Sequence, residues 1–182
     1  LKKIEMELNL RNEKNIELSK RLEILANYDT LTGLPNRRLF FKEIDSAIEA
    51  CKISHTGFAI LFIDLDGFKK VNDTFGHDIG DRLLQRCAEI FKSIVRDEDV
   101  VGRFGGDEFV ILLKRFEAPY LENFVKQLKY ILSKPIDIDE NSCVIGLSLG
   151  MSKCPENGSS RNELIKFADS AMYAEKIKNR SV

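Results

Sequence analysis

The run Gly57-Phe58-Ala59-Ile60-Leu61-Phe62-Ile63-Asp64 is apolar at almost every position and ends in an acid. A strand with one wet face alternates apolar and polar residues; one that is apolar throughout is covered on both faces. The rest of the chain must therefore supply helices above and below a central sheet. A helix is expected from about Asn36 to Ala50, with Leu39, Phe40, Ile44 and Ile48 inward. A second carries Leu83, Leu84, Cys87, Ile90, Phe91 and Ile94 inward; others span Pro119 to Leu132 and Arg161 to Lys178. Val100–Leu113 reads as a hairpin turning at Gly105-Gly106, and "CVIGLSLGMS" from Cys143 as a further strand. Strands and helices alternate without strict βαβ regularity, so the expected class is α/β (α+β), a mixed sheet flanked by helices.

Residues 1–28 lack glycine and proline. Leu1, Ile4, Leu8, Arg11, Asn15, Leu18, Leu22 and Leu25 follow one another at steps of three and four, a four-heptad seam. The expectation is a parallel two-stranded coiled coil; the competing one is a lone amphipathic helix packed on the domain. Turn chemistry in "NYDTLTGLPNRR" places the boundary there, giving a linker helix over 1–28 and a domain over 29–182. A net charge of −1 leaves no global basic field for nucleic acid or anionic membrane. No apolar stretch has the length of a membrane span, and the expected location is cytoplasmic. Because the chain starts at Leu1, it reads as a fragment whose upstream sensor is missing. Cys51, Cys87, Cys143 and Cys154 are scattered, which suits reduced, mostly buried thiols.

The chemistry gathers at strand ends. Period-two alternation puts Asp64 and Asp66 on one face, where a hard cation relieves their repulsion. Taken alone, D-x-D-G is also an ordinary strand-ending turn. Asp107 and Glu108 change that balance. Adjacent strand residues face opposite ways, so Asp107 is expected to join Asp64 as a direct metal ligand, with Glu108 less settled. Carboxylates beside Gly105 and Gly106, which leave room for a phosphate, suit metal-assisted phosphoryl or nucleotidyl transfer. Asn72 and Asp81 match the hydrogen-bonding edge of guanine, although Asn72 and Asp73 also suit a helix N-cap, and His77 a packed loop position. Lys176 and Arg180 lie four apart on a helix, placed for phosphates or simply for the helix dipole.

With these residues assembled, the chain resembles a GGDEF-family diguanylate cyclase. Gly105-Gly106-Asp107-Glu108-Phe109 spells the signature, supported by "DTLTGLPNR", "FIDLDGFKKVNDTFGHDIGD" and "ADSAMYAEKIKNR". The resemblance implies a nucleotidyl-cyclase or polymerase-palm-like fold with a central five-stranded mixed sheet, preceded here by the N-terminal helix. It implies a homodimer that condenses two GTP to cyclic di-GMP and two pyrophosphates, with Mg²⁺, or Mn²⁺ in its place. By position, Asp64, the Leu65 carbonyl and Asp107 match metal ligands, Glu108 a further carboxylate, and Asp107 the proton acceptor. Asn72 and Asp81 match the guanine-reading pair, His77 another substrate contact, and Lys69, Lys176 and Arg180 residues near the phosphates. Arg96 and Asp99, with Arg103 behind them, match an R-x-x-D site where product binds and inhibits. Asn179 and Ser181 depart from the usual Gly and Asn of the last motif. The competing activities are a non-catalytic cyclic di-GMP receptor, a mixed cyclic dinucleotide synthase, which Asp81 argues against, and a nucleotide-binding structural module.

Overall fold

The structure is a computed structural model that describes residues 2–180, without the side chains of residues 2–5, Ala118 and Arg180. In chain order the elements are α1 (Lys2–Asn27), α2 (Arg37–Ser54), β1 (Phe58–Asp66), α3 (Phe68–Phe75), α4 (His77–Ile94), β2 (Val100–Gly105), β3 (Glu108–Leu113), α5 (Ala118–Leu132), β4 (Ile136–Ile138), β5 (Asn141–Cys143), β6 (Gly146–Cys154) and α6 (Arg161–Arg180).

β1 lies inside the sheet, as its apolar run requires, in the order β2-β3-β1-β6. Eight of its nine residues are buried. Ala59, Leu61, Ile63 and Leu65 pack on one face with Leu83, Leu84, Cys87 and Phe91 of α4 and Leu121, Phe124 and Leu128 of α5. Ile60 and Phe62 pack on the other with Phe40, Ile44 and Ile48 of α2 and Leu164, Ala168 and Met172 of α6. The result is a three-layer sandwich, helices–sheet–helices. Each fully buried Leu, Ile or Phe contributes about 1.5–3 kcal/mol relative to exposure.

The expected five-stranded mixed sheet is corrected in two respects. Among the described residues the central sheet has four strands, and every neighbouring pair in it is antiparallel. The helical crossover from β1 does return β2 in a parallel sense, but the next hairpin strand, β3, inserts between them. The segment between α5 and β6 forms its own two-stranded hairpin, β4–β5, with only three residues per arm. Ile136, Ile138 and Cys143 nevertheless join the core beneath α4 and α5.

Some peptide groups of both outer strands are engaged outside the sheet. On β6 the Leu147 carbonyl accepts from Asn179 Nδ2 (3.4 Å), Leu149 N–H donates to Glu175 (3.4 Å), and Lys153 N–H donates to Asn157 Oδ1 (2.8 Å). On β2, Arg103 N–H donates to the Pro35 carbonyl (3.0 Å).

α1 stands clear of the domain: every residue from Met6 to Leu25 is exposed, including the seam members Leu8, Leu18, Leu22 and Leu25. That removes the packed-helix reading. Leu1 and the Ile4 side chain lie outside the described residues. The helix is tied at its base by Asn36. The Asn36 side chain caps α2 by accepting from Arg38 N (3.0 Å) and Leu39 N (3.1 Å), and it donates to Ala26 O (3.0 Å). Its backbone N–H donates to Asn27 O (2.8 Å). All four cysteines are free thiols. Burial pushes Cys87 up to about 12 and Cys154 up to about 11, so both are protonated at neutral pH.

Candidate active site

The last residues of β1 reach the edge of the sheet with Asp64 buried and Asp66 half-buried. Both face α6, as their period-two spacing predicts. Lys176 Nζ lies 2.6 Å from Asp64 Oδ2. Asp66 Oδ2 accepts from Ser148 Oγ (2.7 Å) and Asn179 Nδ2 (3.1 Å). Asn179, where the resemblance leads one to expect glycine, thus has a structural task.

The hairpin differs from the expected Gly-Gly turn. Its register shifts between Arg103 and Gly105, and Gly105 pairs with Glu108, so the two central residues are Gly106 and Asp107. Gly106 takes the left-handed conformation (φ 51°) that an inner hairpin position favours. The shift accommodates Phe104, whose ring meets Phe40, Phe41 and Phe62 edge-on at 5.3–5.6 Å. Asp107 therefore sits in the turn, where strand alternation does not apply, and its carbonyl accepts from Leu65 N–H (3.2 Å). Glu108 is the direct register partner of Asp64. The expected opposition of Asp107 and Glu108 dissolves: the Asp64 charge acts on both.

Asp107 and Glu108 titrate above the ordinary carboxylate range. Burial is the main cause, Asp64 adds to it, and for Glu108 so do Asp107 and Asp169. A raised folded-state pKa means the fold holds protons that the unfolded chain has released. Stability therefore falls as pH rises from the ordinary carboxylate value through the raised one. Asp107→Asn is expected to raise stability at pH 7 by about 0.5–1 kcal/mol, a modest gain because the side chain remains partly in water. The gain should close below the ordinary carboxylate pKa, as read by thermal melts across pH. A variant no more stable at pH 7 would show that these charges are well solvated.

Asp64, Leu65, Asp66, Gly67, Lys69, Asp107, Lys176 and Asn179 line one small cavity of about 170 Å³. Among the described residues, no three His, Cys, Asp or Glu side chains converge closely enough to hold an ion by themselves. The donor set nevertheless fits Mg²⁺, which is commonly held by one or two carboxylates with substrate phosphates and water completing the shell. Asp64 Oδ1 is buried without a hydrogen-bond partner, an oxygen left for such a ligand. A larger cleft of about 690 Å³ lies beside Ala50, Ser54 and Lys114, at the opposite end of the sheet from the carboxylates. Chemistry, not volume, marks the site.

Asn72 lies inside α3 rather than at a helix N-cap, and its Oδ1 is also buried and unpartnered. It abuts Gly80 of α4: a Cβ there would stand 1.8 Å from Asn72 Oδ1. Gly80, which sequence reasoning passed over, thus makes room for Asn72 beside exposed Asp81; its signal was a glycine within a helical pattern. His77 opens α4 and is exposed. Arg180 ends α6, with its side chain outside the description.

Arg96 and Asp99 come together in the turn before β2. Asp99 accepts from Arg96 N (3.1 Å) and Lys114 N (2.9 Å). Arg103 does not join them. Its guanidinium pairs with Asp29 (2.9 and 3.0 Å) and donates from Nε and Nη2 to the Gly106 carbonyl (3.1 and 2.7 Å). Instead of meeting the Arg96 turn, it braces the Gly105–Glu108 turn.

Residues 26–181 match the family model described as diguanylate cyclase, GGDEF domain. The bifunctional diguanylate cyclase/cyclic di-GMP phosphodiesterase MucR of Pseudomonas aeruginosa is 40% identical over 163 residues, covering 90% of this chain and 24% of MucR. This chain spans 15–35% of the length of such curated relatives. A solved GGDEF-only form of TpbB (YfiN) from Pseudomonas aeruginosa is 32% identical with a TM-score of 0.79, covering 83% of this chain and 89% of that one. The GGDEF domain of DgcB from Caulobacter crescentus, solved in complex with c-di-GMP, is 26% identical with a TM-score of 0.75, covering 84% and 91%.

Proposed function

The chain belongs to the diguanylate cyclase GGDEF domain family, and on that footing we propose that it condenses two GTP to cyclic di-GMP as a homodimer. The observation that carries this reading is the buried Asp64, with its unpartnered Oδ1, set against Lys176 and the intact Gly105–Glu108 turn. Each 3′-hydroxyl attacks the α-phosphate of the facing nucleotide. A phosphorus–oxygen bond forms, the bond to the β-phosphate breaks, and pyrophosphate leaves, once for each nucleotide.

One chain supplies half of that arrangement, and the exposed seam of α1 offers the means to pair two. Asp107, its carboxyl already raised by burial and Asp64, is suited to take the hydroxyl proton. Lys176 and Lys69 sit where phosphate charge would accumulate. Asp64, the Leu65 carbonyl and Asp107 would hold Mg²⁺, with Glu108 as a further carboxylate. The metal, when bound, polarises the α-phosphate and lowers the hydroxyl pKa. Asn72 and Asp81 read guanine, with His77 a nearby contact.

Arg96 and Asp99 form the product site, and the DgcB domain, solved in complex with c-di-GMP, supports binding of that ligand by a domain of this kind. GTP places the reaction in the cytoplasm, with an upstream sensor as the input. Among the described residues no helix is long and apolar enough to cross a membrane.

Incubating product-free protein with Mg²⁺ and GTP, ATP or both, and identifying the products, tests the activity. Cyclic di-GMP from GTP alone is expected. No turnover by a dimer verified by sedimentation would sink the cyclase reading. Gly80→Ala should displace the Asn72 amide and raise KM for GTP about tenfold, the cost of one misplaced hydrogen bond, with less effect on kcat. Steady-state kinetics would show it; an unchanged KM would remove Asn72 from guanine recognition.

A further inference from the structure

The Arg96 guanidinium does not hang free in solvent. Its Cζ lies 3.9 Å from the centroid of the Tyr120 ring, over the face. Tyr120 stands in the first turn of α5, packs against the apolar core, and is backed by Phe124 with ring centroids 6.2 Å apart. The other half of the pair is fixed too. Each Asp99 oxygen accepts a backbone N–H, and Asp99 N–H donates to Arg96 O (3.0 Å), closing the turn.

An exposed arginine on a long stem loses rotamer freedom when it forks onto a base or phosphate. A ring already covering one face of the guanidinium removes part of that loss before the ligand arrives. Arg96 is otherwise exposed, so its N–H groups remain available to a guanine edge or a phosphate. Resting on the product-site reading above, we propose that Tyr120 is a positioning residue for cyclic di-GMP, holding Arg96 in the plane from which it meets the guanine edge. α5 thereby becomes part of the product site, although it contributes none of the R-x-x-D motif.

Calorimetric titration of cyclic di-GMP into the wild type, Tyr120→Phe, Tyr120→Leu and Arg96→Ala tests this. Tyr120→Leu keeps apolar bulk but loses the π face and is expected to bind about five- to tenfold more weakly. Tyr120→Phe should stay within about twofold, because the ring face is retained. Arg96→Ala should lose the site. Unchanged or tighter binding by Tyr120→Leu, with binding still lost in Arg96→Ala, overturns the role of Tyr120 and leaves the product site standing. Wild-type binding that survives Arg96→Ala overturns both. A second measurement needs no ligand: the Arg96 Nε–H NMR resonance should be ring-current shifted in the wild type and Tyr120→Phe and released in Tyr120→Leu. No shift in the wild type would also overturn the proposal.

Discussion

Asp64→Asn is expected to lower GTP turnover about a thousandfold, equivalent to roughly 4 kcal/mol of transition-state stabilisation, with the fold intact. The substitution keeps the size of the side chain and an oxygen that can still accept from Lys176, whose Nζ lies 2.6 Å from Asp64 Oδ2. What disappears is the charge. Asp64 is 4% exposed and its other oxygen has no partner, so the fold bears a buried anion that its own hydrogen bonds leave half satisfied. On the proposed reading, a metal ion completes that oxygen and is the reason for its burial. Turnover, calorimetric Mn²⁺ binding and thermal melts on one preparation decide the matter. Loss of turnover and metal binding with an unchanged or higher Tm supports the assignment; turnover within tenfold of wild type would refute it.

The second large effect lies outside the cavity. Arg103→Ala should destabilise the protein by about 3 kcal/mol, because it leaves Asp29 unpaired in a largely desolvated place. Arg103 is 9% exposed and Asp29 21%. For a chain of this size that is a Tm drop of roughly 6–12 °C. Burial pushes the Asp29 carboxyl up, but hydrogen bonds from Thr32 and Arg103 outweigh it and the net shift is downward. A depressed carboxylate contributes stability above its unfolded pKa and loses it as pH falls through the folded one. The deficit of Arg103→Ala should therefore shrink in acid. Turnover should fall as well, since Gly106 O loses both guanidinium donors. Arg103→Lys keeps charge without the fork and should fall between. A Tm within about 2 °C of wild type would show that the pair contributes little.

Much of this was legible from local pattern. An unbroken apolar run fixed β1 inside a covered sheet, period-two spacing put Asp64 and Asp66 on one face, and Asn36 marked a helix start. What escaped depended on geometry that spacing does not encode. The extra residue Phe104 moves the turn by one position, because three aromatic rings provide a socket for it; nothing in "RFGGDE" announces that socket. Asp107 thus left the strand whose alternation had seemed to set it against Glu108. Arg103 stood close in sequence to Arg96, yet a strand carried it to Asp29, 74 residues away. The fifth strand was expected from the resemblance; here the three-residue arms β4 and β5 pair only with each other.

The partly engaged sheet borders bear on how copies of this protein meet. Unsatisfied strand edges are templates for stacking into aggregates. Here Asn179, Glu175 and Asn157 act as stoppers on one border, and the Pro35 carbonyl on the other. Growth by strand addition is discouraged where these groups are engaged, chiefly along β6, while the leucines of α1 are exposed. On the proposed dimeric reading, those leucines rather than the sheet borders are the surface through which two copies would pair.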